Sequence, residues 1–94
     1  MNFVVYLLIS KYKKKYLTYV GFTSNLKKRI ILHNSGKGAK FTKGKHWFLL
    51  YKKSYNSKSK AMSEEYKLKN DRKKRKTLKL KYIKKHEGIN SSSI

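Results

Sequence analysis

The sequence predicts an α+β domain: a small three-stranded antiparallel sheet flanked by helices, in the order β-β-α-β-α-α. Three observations predict it. Two β-branched and aromatic runs stand either side of a short lysine-rich connection, a third apolar run follows a basic loop, and the intervening stretches carry apolar residues at helical spacing. At 94 residues, with no cysteine and no proline, the chain has room for one modest core.

Each element has a local cause. Phe3-Val4-Val5-Tyr6-Leu7-Leu8-Ile9 favours a strand, Lys11 to Lys15 reads as a polar turn, and Tyr16 to Phe22 reads as the returning strand of a hairpin. A turn centred on Tyr12–Lys13 would set Tyr6 directly opposite Tyr19, with both hydroxyls on one face. Thr23 or Ser24 offers an N-cap oxygen for a helix running to about Asn34, on which Leu26, Ile30 and His33 share a face. Ser35-Gly36-Lys37-Gly38 is the stop, Ala39 to His46 a basic loop, and Trp47 to Tyr51 a third strand expected to be buried on both faces. After Asn56-Ser57 the period becomes helical, with Ala61, Glu65, Leu68 and Arg72 on one stripe. Leu78, Tyr82 and Ile83 mark a last short helix. The domain is expected over residues 1–86, with 87–94 a flexible tail.

Charge dominates the composition: 26 Lys+Arg against 4 Asp+Glu give +22, while 38% hydrophobic and 14% aromatic residues argue for a folded chain. A folded domain that binds a polyanion follows. The lack of cysteine excludes disulfides, Cys-based zinc sites and thiol nucleophiles, and no glycine loop of the nucleotide-binding kind is present. No apolar run is long enough to span a bilayer, and none reads as a signal peptide; a cytoplasmic, nucleoid-associated protein is expected if the source is bacterial.

A few residues sit oddly against that background. Glu65 falls on the inward stripe of its helix, where a carboxylate must be paired or hold a cation, whereas Glu64 falls with Lys60, Lys67 and Asp71 on the wetter side. Arg29, in a chain that otherwise prefers lysine, lies near the inward face beside His33, and its planar fork suits a phosphate. Gly21 leaves room for something to approach the sheet, and Lys37, Lys40, Lys43 and Lys45 alternate with glycines in a loop suited to a phosphate backbone. Taken singly, each has an ordinary structural explanation: an ion pair, packed tyrosines, a surface arginine, a core histidine, a turn glycine, a solvated loop.

Together these residues resemble the GIY-YIG nuclease superfamily. The two signature tripeptides are similar to Val4-Val5-Tyr6 and Tyr19-Val20-Gly21. Thr23 to Ile30 resembles the helix carrying the family arginine, and His33 to Thr42 the stretch that follows it in the small, single-domain bacterial branch. Ala61 to Lys69 resembles the helix carrying the family glutamate and selects Glu65 over Glu64. The likeness covers about residues 2–84 and extends to the nuclease domain of the excision-repair incision protein. Val4 replaces a signature glycine, Phe22 stands where some relatives have lysine, and Thr77 where some have asparagine. The appended domains of the incision protein and of intron homing enzymes have no counterpart in this sequence, nor has the zinc module of the eukaryotic structure-specific subunit.

The resemblance implies a DNA endonuclease using one Mg²⁺ or Mn²⁺ ion, structure-specific in repair or recombination. Glu65 would hold the metal, Arg29 would offset charge on the phosphate, and Tyr6 would help deprotonate water, supported by Tyr19 and His33. Tyr6 could act as a base only with its pKa lowered by nearby cations and the metal. Gly21, Lys27, Lys37, Lys40, Lys43, Lys45 and Lys69 would line the path of duplex or branched DNA, with RNA a further partner and targeting supplied by a second protein. The alternative is a basic DNA- or RNA-binding module on the same fold that does not cut. A ribosomal-type RNA protein would leave Glu65 unexplained, and an HNH nuclease would need a metal cluster that His33, Asn34 and His46 do not supply.

Overall fold

The computed structural model describes residues 2–87. The order is the expected one: β1 (Phe3–Tyr12), β2 (Lys15–Thr23), α1 (Leu26–Asn34), β3 (Phe48–Tyr55), α2 (Lys58–Asn70) and α3 (Arg72–His86). The three strands form an antiparallel sheet in the order β2-β1-β3. Residues 88–94 of the expected tail lie outside the described residues. Glu87 closes α3 as its C-cap and pairs with Lys11 at 3.0 Å.

β1 is the central strand, and every residue from Val5 to Ser10 is buried. Alternation divides its side chains between two cores. Val5 and Leu7 pack with Val20 of β2 and with Ala61 and Leu68, one stripe of α2. Tyr6 and Leu8 point the other way and pack with Trp47, Leu17, Tyr19, Leu26 and Ile30. The sheet thus has α2 on one face and α1 with its following loop on the other. β3 is not buried on both faces: it is an edge strand, with Phe48 and Leu49 exposed and only Leu50, Tyr51 and Tyr55 half-buried. Its apolar run suggested otherwise because Trp47, the bulkiest member, belongs to the loop core and not to the strand.

The hairpin turn is one residue later than expected. Lys13 and Lys14 occupy its centre with φ of 51° and 67°, the conformation of a tight two-residue hairpin turn normally filled by Asn and Gly. Tyr6 therefore pairs with Gly21 and Tyr19 with Leu8. Because the register moves by two along β2, the tyrosines still share a face, their ring centroids 6.5 Å apart.

The caps also differ from expectation. Asn25, not Thr23 or Ser24, caps α1 by accepting from the Lys28 N–H, while Thr23 Oγ1 accepts from the Asn25 N–H. At the other end Gly36 takes the left-handed conformation (φ 83°), and the Lys37 and Gly36 amides return to the Leu32 and His33 carbonyls. Ser57 caps α2, and Asp71 separates α2 from α3, so Arg72 opens the next helix instead of ending the stripe of Ala61 and Leu68. α3 runs 15 residues, longer than its few apolar residues suggested. Arg75 welds the two helices: its Nε and Nη2 donate to the Leu68 and Lys69 carbonyls at 3.0 and 2.8 Å.

Candidate active site

The site is built where the Tyr6 face of the hairpin meets α1 and the loop after it. Tyr6 projects from β1 over Gly21 of β2, and its hydroxyl meets His33 Nε2 at 2.8 Å. His33 is fully buried on the inward face of α1, and its Nδ1 lies 2.8 Å from Thr42 Oγ1. Thr42 in turn donates to the Ala39 carbonyl at 3.0 Å and accepts from the Ala39 N–H at 3.2 Å.

This network assigns the hydrogens. We assign the single Thr42 hydroxyl hydrogen to the Ala39 carbonyl, so that His33 Nδ1 carries a proton and donates to Thr42. Nε2 is then bare and accepts from the Tyr6 hydroxyl. The outcome is a directed chain, Tyr6 to His33 to Thr42 to Ala39, within a packed aromatic cluster. Tyr19 stacks edge-on to His33 at 4.9 Å between centroids, and Phe41 stacks on Tyr19 at 6.4 Å.

The loop that carries Thr42 is held at both ends. Asn34 donates to the Trp47 carbonyl at 3.1 Å and accepts from the Trp47 N–H at 2.6 Å, and the Trp47 indole donates to the Thr42 carbonyl at 3.0 Å. Gly38 fits only because it lacks a side chain: a β-carbon there would lie 2.8 Å from His33 Cα.

Arg29 sits one turn before His33, half-buried, and reaches the Gly38 carbonyl through a long 3.4 Å bond that is easily exchanged for a better acceptor. Burial pushes the Tyr6 phenol above its ordinary pKa. The adjacent Arg29 guanidinium opposes the rise, and Tyr19 and the Glu65 carboxylate add to it. Arg29 by itself therefore does not bring the phenol below its ordinary pKa. His33 moves the other way, held neutral by burial and by Arg29.

Glu64 and Glu65 are similarly half-buried, with side chains 23% and 19% exposed, so exposure does not separate them as expected. Their partners do. Glu64 is held by Lys67 at 3.1 Å and Lys60 at 3.4 Å, which keep its carboxyl below the usual range. Glu65 has Lys69 at 3.5 Å and lies within electrostatic reach of Tyr6. An ion pair this exposed contributes only about 0–1 kcal/mol, so a divalent cation could displace Lys69. Among the described residues no three His, Asp or Glu side chains cluster to hold a metal. Glu65 alone suits an ion such as Mg²⁺ that keeps most of its waters and takes further oxygens from a phosphate.

The structure brings Tyr6, Tyr19, Arg29 and His33 together, with Glu65 of α2 bearing on Tyr6. Gly21 is beside them for a different reason than expected, since the space above it is filled by the Tyr6 ring. Lys27, Lys37, Lys40 and Lys43 are exposed and form no ion pair among the described residues. Lys45 is committed elsewhere: it donates to the Phe41 carbonyl and lies over the Tyr12 and Phe41 rings. Lys69 is the partner of Glu65. Sequence reasoning placed Asn34, Gly38, Thr42 and Trp47 in a helix end, a loop and a strand but did not count them among the catalytic residues. The available signal was Gly38 and Thr42 standing in a loop that is otherwise rich in lysine.

Fold and site together define a class: small basic α+β domains with a tyrosine on each strand of a hairpin, an arginine and histidine on the next helix, and a glutamate on a later one. This chain belongs to the GIY-YIG family, a nuclease superfamily: the model of the GIY-YIG catalytic domain matches residues 2–80. Among its relatives, a UPF0213 protein of Staphylococcus haemolyticus is 46% identical over 65 residues, covering 68% of this chain and 78% of that protein. The UPF0213 protein of Oceanobacillus iheyensis is 50% identical over 52 residues, covering 54% of this chain and 60% of the relative. The match therefore spans less than two thirds of that relative's length. The solution NMR structure of the UPF0213 protein BH0048 from Bacillus halodurans is 39% identical, covers 86% of each chain and superposes with a TM-score of 0.45. No helix among the described residues is long and apolar enough to cross a membrane.

Proposed function

We propose that this chain is a divalent-metal-dependent DNA endonuclease that hydrolyses phosphodiester bonds. The observation that carries the reading is the directed hydrogen-bonded chain from Tyr6 through His33 to Thr42. A polyanion-binding module has no need of a buried, neutral histidine poised to accept a tyrosine proton.

The chain also resolves the raised Tyr6 pKa. Tyr6 need not be ionised in advance. As a water attacks phosphorus, its proton passes to Tyr6 Oη while the Tyr6 proton passes to His33 Nε2, and Thr42 stabilises the imidazolium through Nδ1. Arg29 gives up its long bond to Gly38 for a phosphate oxygen and offsets charge in the transition state. Glu65 would hold a single Mg²⁺ or Mn²⁺ ion, whose chemistry when bound is to stabilise the leaving oxygen. Lys27, Lys37, Lys40 and Lys43 support the DNA backbone around the site. A role on branched or damaged DNA, in repair or recombination, fits a domain with so small a specificity surface, and targeting by a partner protein fits it equally.

The test is cleavage of labelled duplex, nicked, flapped, branched and single-stranded DNA with Mg²⁺ or Mn²⁺, with chelator, and with His33→Ala. Metal-dependent cutting that is lost in the variant supports the reading. Tight binding without cutting across the whole panel would replace it with the binding module.

A further inference from the structure

A second cationic surface lies on the other side of the sheet. Tyr16 and Thr18 share strand alternation with Val20, which packs on the α2 side, whereas Leu17 and Tyr19 face α1. Between this end of β2 and α3 runs a groove of about 490 Å³ that contains Tyr16 and Thr18 on one wall and Arg72, Arg75, Lys76 and Lys79 on the other. These four cations fall at spacings of three, four and seven, one continuous stripe of α3 that rises about 10 Å along the helix. No carboxylate lines the groove. Two of the three arginines in the chain are here, and Arg75 is fixed in place by the α2 carbonyls it caps.

We propose that this groove binds the sugar-phosphate backbone of a second nucleic-acid segment, so that one molecule bridges two segments. The stripe supplies positive charge without internal counter-charge, and the Tyr16 and Thr18 hydroxyls add donors for phosphate oxygens. The loop lysines and Arg29 lie across the sheet from it. A duplex is stiff over the thickness of a single sheet, so one held at the loop face does not fold back to occupy both surfaces. None of the groove residues belongs to the site around Tyr6, and the proposal stands or falls independently of cleavage.

The experiment is a bridging assay in chelator: an unlabelled duplex is fixed to beads, protein is added, and capture of a fluorescent duplex is read. Binding to a single free duplex is measured in parallel. The variant R72A/K76A/K79A is compared with K73A/K81A/K84A, which removes the same charge from the same helix outside the groove. R72Q/K76Q, which keeps side-chain length, serves should the triple variant fail to fold by circular dichroism. The expectation is bridging by the wild type, a loss of about tenfold or more in the groove variants, and near-normal bridging in the control triple; removing phosphate contacts also flattens the salt dependence by about 0.9 per contact. Bridging by the groove variants at the wild-type level, or an equal loss in the control triple, would overturn the proposal.

Discussion

Tyr6 lies directly over Gly21, its pairing partner across the hairpin, and a β-carbon at Gly21 would come within 2.6 Å of the Tyr6 Cζ. The glycine of the second signature tripeptide is thus a seat for the tyrosine of the first. Tyr6 is buried and bonded to His33, so it cannot swing away without breaking that bond. Gly21→Ala is expected to retain the fold, lower stability by about 1–3 kcal/mol through overpacking, and remove cleavage by displacing the Tyr6 hydroxyl from His33. Thermal melts alongside cleavage rates check both halves; an active alanine variant would show that the seat is unnecessary.

Gly38 provides the corresponding seat for His33, but here the obstructing atoms include the backbone Cα of His33. A backbone atom yields less readily than a side-chain tip. Gly38→Ala is therefore expected to melt at a lower temperature than Gly21→Ala, a ranking that denaturation of the two variants decides directly.

Thr42 fixes which His33 nitrogen carries the proton. Thr42→Ser keeps the oxygen and should keep most activity. Thr42→Val leaves His33 Nδ1 and the Ala39 amide without their partner, at a cost of about 1–3 kcal/mol in stability and tenfold or more in turnover, with substrate binding little changed. Equal loss in Ser and Val variants would make Thr42 a matter of packing alone.

The pH profile follows from the two opposite shifts. His33 is lowered from 6.5 by burial and by Arg29, so it accepts a proton throughout the neutral range and fails only as acid protonates it below pH 6.5. Tyr6 is raised from 10.0 by burial, so it remains a proton carrier above neutrality. Cleavage should fall only on the acid side of 6.5, with no rise between pH 7 and 9. A rate that climbs through that interval would indicate a pre-ionised tyrosine. Stability has the same sign: the buried neutral His33 contributes fully above 6.5, and that contribution is lost as pH falls toward its lowered native pKa.

The element order and the cluster of Tyr6, Tyr19, Arg29 and His33 were legible because strand alternation and helix spacing place side chains on faces without detailed geometry. The pairing of Tyr6 was not, since two lysines adopt a turn conformation normally signalled by Asn-Gly, and nothing in Lys11 to Lys15 marks its centre. The length of α3 was hidden by lysines around its whole circumference, although Asp71 was a readable cap. The inner half of the site, Thr42 and Gly38, was out of reach for another reason. Their importance comes from a loop folding back on α1, a relationship fixed by Asn34 and Trp47 and by no periodic pattern.

The most direct test of the central claim compares Glu65→Gln with Glu64→Gln in Mg²⁺-dependent DNA cleavage. Both glutamates are half-buried on one helix, but only Glu65 bears on Tyr6. The account expects Glu65→Gln to abolish cutting while still binding DNA, and Glu64→Gln to cut at close to the wild-type rate. Undiminished cutting by Glu65→Gln, or equal loss in the two variants, would contradict it.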